Sequence, residues 1–251
     1  MWLLDSLPSL TSFGVLGAAT LVGCLMRGFS GFGAGLLMAP VFSLVMSPTD
    51  VVVIVLLVNL LTTIQMLPGA LRHVDWVLVL RLFIPSLLGL PIGLAMVHVV
   101  DPAAMRKLIA FVVTLIAILM LGGWYYRGRR GRVQDVAVGS LSGVMTAIGG
   151  IGGPPIILYL LSIPRLPATV LRAVCLVYFS LGQIATLIPL AVTGSINTMR
   201  ITYVLALLPV AILASVIGSL LHTWSLGKHQ GRVRQASLII LLIIGLMTFL
   251  L

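Results

Sequence analysis

The chain has 251 residues, of which 8% are charged and 60% hydrophobic, whereas a water-soluble domain carries about 25% charge. A mean hydropathy of +1.24 excludes a soluble globule and makes the bilayer the solvent. The net charge of +10 sits in short loops beside apolar runs, which points to the anionic lipid surface and away from nucleic acid.

Cuts at proline, glycine and charge clusters give apolar segments at 9–26, 36–46, 51–67, 76–99 and 103–122, a basic loop at 124–134, then segments at 136–148, 155–163, 168–192, 201–223 and 235–251. Runs such as 51–61 and 108–121 are apolar without alternation, so they read as helices and not as strands of a barrel. The first segment contains a lipoprotein-like Leu21-Val22-Gly23-Cys24, but its first charge is Asp5. Lacking a positive flank, it is expected to be retained as a helix. Cys24 and Cys175 both lie in apolar runs and imply no disulfide framework.

The two sets of segments correspond in order and length. Gly31-Phe32-Gly33 matches Gly150-Ile151-Gly152 at an offset of 119, and the same offset carries Ser43 to Ser162, Pro48 to Pro167 and Val51 to Val170. The chain therefore reads as a duplication, with a first transmembrane repeat at 1–123, a basic cytoplasmic loop at 124–134 and a second repeat at 135–251.

In each half the first two segments flank a glycine cluster, at 28–35 and 149–155. Segments of about 13 and 9 residues in the second half would span only about 20 and 14 Å of a hydrocarbon core about 30 Å thick. They are expected to be half-helices that meet inside the membrane, either as a hairpin that returns or as one broken helix that crosses. A returning pair puts eleven basic residues on one face against three on the other; a crossing pair splits them seven to seven. Basic residues mark the cytoplasmic side, which selects the returning pair. The expected fold is an all-α polytopic membrane protein of two inverted repeats, each a broken or re-entrant helix pair plus three transmembrane helices, eight to ten segments in total. It is expected in the cell inner membrane, with basic loops cytoplasmic and both termini outside.

Bare backbone at membrane depth is costly unless it lines a cavity or is packed in protein. A helix that restarts at Leu36 or Pro155 aims free N–H groups and a positive dipole end into the gap, which is the geometry of an anion site. The substrate-binding candidates are Arg27, Gly28, Ser30, Gly31, Gly33, Asn59, Gly150, Gly152, Gly153, Pro154, Arg172, Tyr178 and Gln183. The alternative is close helix packing through small residues, although packing glycines are spaced by three and these are clustered. A phosphate loop is excluded because no strand precedes the glycines.

Arg27 follows a long apolar run and needs a counter-charge. The chain has no Glu, and Asp5, Asp50, Asp75, Asp101 and Asp135 all lie at segment ends. A substrate anion is the expected partner; the alternative is that Arg27 caps its own helix or snorkels. Arg172 reads as either a second anion contact or an interface anchor. Thr62, Thr63, Gln65 and Ser180 serve equally as interhelical glue or as ligand contacts. The histidines have no metal-ligand spacing, and no nucleophile stands with a base and its orienter. No metal, no cofactor and no enzyme activity are expected. The Arg-Gly run at 127–132 is a topology anchor.

Residues 27–40 (Arg-Gly-Phe-Ser-Gly-Phe-Gly-Ala-Gly-Leu-Leu-Met-Ala-Pro), the partner cluster at 149–155 and the stretch at 171–179 resemble the sulfite exporter TauE/SafE family, also called the toluene sulfonate uptake permeases. The resemblance covers nearly the whole chain and implies an inner-membrane carrier of sulfite, of sulfonates such as sulfoacetate, or of related organic anions. Pro154-Pro155 stands where many members continue with glycine and leucine. Export is the expected direction, because an anion leaving a negative interior moves downhill by about 2.3 kcal/mol per charge per 100 mV. Uptake stays open, since carbonyls at the helix breaks could hold Na⁺. An anion-selective channel and a non-transporting scaffold subunit are the alternatives, and a homodimer is left open. The orientation has a direct test. A cysteine at Gly128 should resist an impermeant thiol reagent in intact cells, and ready labelling there would overturn the inverted arrangement.

Overall fold

A computed structural model describes residues 10–123, 126, 128, 131–164 and 166–224, excluding the side chains of 10–12 and 222–224. The described residues form ten helices and no strand: α1 (Leu10–Ser30), α2 (Ala34–Phe42), α3 (Pro48–Ile64), α4 (Leu67–Leu71), α5 (Trp76–Val99), α6 (Pro102–Leu121), α7 (Arg132–Gly149), α8 (Gly153–Leu160), α9 (Ala168–Val192) and α10 (Thr198–Trp224). Five of them, α1, α5, α6, α9 and α10, are long and apolar enough to cross a membrane. The segment expected at 235–251 lies outside the described residues, as do Asp5, Arg165 and, in the Arg-Gly run, Arg127, Arg129 and Arg130.

Helix starts are set by the acids. Asp75 accepts from the Leu78 N–H at 3.1 Å, Asp101 accepts from the Ala103 N–H at 2.9 Å, and Ser47 with Asp50 forms a capping box on α3. Asp135 sits in the first turn of α7. Each carboxylate satisfies orphan N–H groups or faces the positive end of a helix. Four of the chain's five acids are thereby committed to helix ends.

Helix α3 is buried on nearly every side, from Val51 through Thr63, which is why its sequence shows no polar stripe. It forms the centre of the bundle together with α9, while α5, α6 and α10 expose apolar side chains such as Leu88, Phe111 and Leu213. Those exposed faces are the lipid-facing surface of a membrane protein.

Both glycine-flanked pairs double back. On the first, a Cβ added at Gly23 of α1 would lie 3.1 Å from the Ala34 carbonyl oxygen and 3.4 Å from Met38 Cγ, so α2 returns along α1. On the second, the Tyr159 hydroxyl near the end of α8 donates to Asp135 at the start of α7. The expectation of two short helices per pair is corrected. At about 1.5 Å per residue, α1 and α7, with 21 and 18 residues, reach about 31 and 27 Å, and only α2 and α8 are half-length. Helix α1 runs on through Gly28 because that glycine makes a contact and not a break. Helix α7 starts at Arg132, within the stretch assigned to the basic loop.

The opening helix of each half packs on the other half. Helix α1 lies on α10, where a Cβ on Gly28 would meet the Ser215 carbonyl oxygen at 2.2 Å and one on Gly218 would meet that of Leu25 at 2.1 Å. Helix α7 lies on α5, with Gly143 against the Ser86 carbonyl and Gly89 against that of Ser140. These glycines let backbones touch, as small residues do between membrane helices. Gly143→Ala should therefore lower stability by about 1–3 kcal/mol through overpacking, read as a fall in melting temperature. Gly17→Ala, where the added Cβ meets nothing within 4 Å, should leave it unchanged.

Candidate functional site

The two breaks meet each other. Gly33 caps α2 with φ 104°, a conformation that a residue with a Cβ rarely adopts. Gly150 ends α7 with φ 68°, and its carbonyl lies so close to the first turn of α2 that a Cβ on Gly35 would sit 2.1 Å from the oxygen. Each break also docks on the central helix of the opposite half: Gly31 against Arg172 of α9, and Gly150 against Val55 and Leu56 of α3.

A cavity of about 20 Å³ lies where the breaks meet, lined by Arg27, by Gly33 and Gly35 at the start of α2, and by Gly150, Gly153 and Gln183. Phe32, Leu36, Thr146 and Phe179 complete its wall. Neither α2 nor α8 has a side-chain cap at its N-terminus, so the first-turn N–H groups of α2 are unclaimed by any capping residue, whereas α8 offers only that of Gly153 because Pro154 and Pro155 carry none. A water needs about 10–15 Å³ of such space. The site as it stands admits about one water, and a larger occupant requires the tips of α2 and α8 to part.

Arg27 is 3% exposed. Its Nη2 donates to the Thr63 hydroxyl on α3, which in turn donates to the Asn59 carbonyl at 2.6 Å. Its Nε is buried without a partner. Among the described residues the one ion pair is Arg200 Nε to Asp50 Oδ1, 2.7 Å, between the starts of α10 and α3. Arg27 thus carries a buried charge whose hydroxyl partner is neutral. Gln183 Oε1, buried at the same cavity, is also unpartnered, and so are both polar atoms of the Asn59 side chain, which stands near Gly150. Buried polar atoms are nearly always paired, so bonding capacity is left unfilled at this cavity.

The remaining candidates divide. Ser30 donates to the Met26 or Phe32 carbonyl and shapes the first break. Gly152 lies against α7, its carbonyl accepting from the Ser142 hydroxyl at 2.6 Å, and Pro154 is buried in the first turn of α8. Tyr178 is buried with its hydroxyl facing Ser86 and Ser142, making no bond of normal length. Gly28 packs on α10 and offers its carbonyl to Arg172 Nη2 at 2.7 Å. Arg172 itself lies outside the cavity of Arg27 and lines a second one. Phe32, Gly35, Thr146 and Phe179 are not among the candidates, and Thr63 reads equally from the sequence as interhelical glue or a ligand contact. Phe32 and Gly35 lie inside the first glycine cluster, and Thr63 is one helical turn after Asn59, but nothing in the local pattern distinguishes Thr146 or Phe179 from core residues.

Bilayer-crossing helices packed around a buried charged cavity define a polytopic membrane transporter. The family model described as "Sulfite exporter TauE/SafE" matches residues 15–248, and the chain belongs to that family. It is 27% identical over 221 residues, covering 84% of this chain and 83% of the other, to the "Probable sulfite/organosulfonate exporter TauE" of Cupriavidus necator. No solved structure matches the chain. The family is defined by transport and not by catalysis.

A buried charge held for function is a burden on stability, since apolar isosteres of such groups are often neutral or stabilising. Arg27→Met should melt at or above the wild type in anion-free buffer. Thr63→Val, which strands the guanidinium, should cost about 1–3 kcal/mol. A large loss of melting temperature in Arg27→Met would instead make Arg27 a structural element.

Proposed function

We propose that the protein is a secondary carrier that exports a small sulfur-containing anion, sulfite or a C2 or C3 organosulfonate such as sulfoacetate, by alternating access around the Arg27 cavity. The observation that carries this reading is the buried Arg27, with an unpartnered Nε, facing a cavity between the uncapped N-termini of α2 and α8. A trigonal oxyanion head offers three acceptor oxygens to these donors, and backbone N–H groups with a guanidinium are the usual recognition elements for such heads. Phe32 and Phe179 supply an apolar side for a short carbon chain. The name of the Cupriavidus necator relative supports the same substrate class.

The protein acts in the cell inner membrane with its basic loops cytoplasmic and its termini outside, the second half inverted relative to the first. Support comes from the Arg200–Asp50 ion pair. A pair of returning helices puts the starts of α3 and α10 on one face, whereas a crossing pair puts them on opposite faces. The bound anion occupies a closed site, which favours a carrier over a channel.

Purified protein should be melted with sulfite, sulfoacetate, sulfolactate, taurine, sulfate and lactate. A ligand at 100 times its dissociation constant stabilises by about 2.7 kcal/mol. A shift with sulfite or a sulfonate that disappears in Arg27→Met is the expected result, and a shift that persists in the variant would place the site elsewhere.

A further inference from the structure

Beyond the first glycine break lies a larger cavity, about 330 Å³, between the end of α3, the short α4, the start of α9 and α10. Gln65, His73 and Thr169 are exposed at its rim, Arg172 is half-buried in its wall, and Ala173 and Leu176 are buried beneath. This volume is that of a small-molecule site, whereas the Arg27 cavity admits about one water.

Arg172 is poorly matched with its surroundings. Its Nη2 serves two neutral acceptors, the Gly28 carbonyl at 2.7 Å and the Ser219 hydroxyl at 3.1 Å. Its Nε is buried and unpartnered, and the one ion pair among the described residues lies elsewhere. Its side chain also braces the first break, since a Cβ on Gly31 would lie 2.9 Å from Arg172 Cγ. Gly28 directly follows Arg27, so the guanidinium of α9 is bonded to the backbone one residue after Arg27.

We propose that this cavity is a second anion subsite, a vestibule in which Arg172 takes a small oxyanion from solution before it reaches Arg27. The inference rests on the reading of Arg27 as the central anion contact. An oxyanion in the vestibule competes with Gly28 and Ser219 for the same donor. Its arrival loosens the bond that ties α9 to the first break, the segment that must move if the tips of α2 and α8 are to part. The buried Ala173 and Leu176 face the carbon end of a sulfonate.

The test is the stoichiometry of radiolabelled sulfite and sulfoacetate bound to the purified full-length protein in detergent. Two anions per chain are expected in the wild type. Arg172→Gln should retain one, and Arg172→Lys should retain two with the second weakened about tenfold, since an ammonium lacks the guanidinium fork. Ser219→Ala, which removes an internal competitor, should tighten the second site about three-fold or more; a merely structural Arg172 gives no such gain. Two sites persisting in Arg172→Gln, or one site in the wild type that Arg27→Met removes, would overturn the vestibule and leave the central site standing. Absence of binding of either probe to the wild type would overturn both readings. Loss of the second site on adding phosphatidylglycerol would reassign it to a lipid headgroup.

Discussion

A guanidinium held at 3% exposure inside a membrane protein sets the terms for the helices around it. A buried charge is costly unless it is paired and hydrogen-bonded, and Arg27, in the last turn of α1, recovers part of that cost through the hydroxyl of Thr63. Among the described residues it makes no ion pair. The acids are committed to helix starts, Asp50 to α3 and Arg200, Asp75 to α5, Asp101 to α6 and Asp135 to α7 and Tyr159. The uncapped starts of α2 and α8 add positive dipole ends to the same cavity instead of compensating it. The positive charge of this interior is therefore left without a counter-charge among the described residues, which is the basis for proposing that an anion completes it.

That cavity exists because each half supplies the surface against which the other half breaks. Gly31 rests on Arg172 of α9, Gly150 on Val55 and Leu56 of α3, and the two breaks touch through Gly35 and Gly150. The same exchange recurs outside, with α1 on α10 and α7 on α5. Neither half can form the site alone, and a shift of one hairpin against the opposite central helix changes the cavity directly. Packed backbones with carbonyls in van der Waals contact slide or separate as units, which suits the alternating access proposed for this site.

Much of this was legible in the sequence. The two glycine clusters, the half-length helices α2 and α8, the isolated Arg27 and the returning pairs follow from hydropathy, helix pitch and the positions of basic residues. What stayed hidden was which meaning each glycine has. Gly33 and Gly150 adopt left-handed conformations, whereas Gly28 and Gly143 are ordinary helical residues on which a neighbouring backbone lies. A sequence shows both as the same letter, so α1 reads as ending at Met26, short of a glycine through which the helix continues, while α7 reads as beginning at Val136 although it starts at Arg132, within the stretch assigned to the basic loop. Arg172 reads equally as a second anion contact or an interface anchor; in the structure its side chain packs against Gly31 and it lines a different cavity from that of Arg27. Phe179 and Thr146 carry no local pattern at all, because their role comes from α7 and α9 crossing at the second break.

The charge of the empty site also bears on what drives a cycle of the proposed kind. With a monovalent anion on Arg27 the moving centre is neutral, so the loaded step is nearly indifferent to the membrane potential. The unloaded centre carries the full positive charge, and a potential that is negative inside is worth about 2.3 kcal/mol per charge per 100 mV across the whole membrane. That force draws an empty site toward the cytoplasmic face, where it can load again. Export then needs no carboxylate to carry a proton, because the potential acts on the return of the empty carrier. A glutamate beside Arg27 would neutralise the centre in the empty state and remove that bias, and the chain contains no glutamate at all.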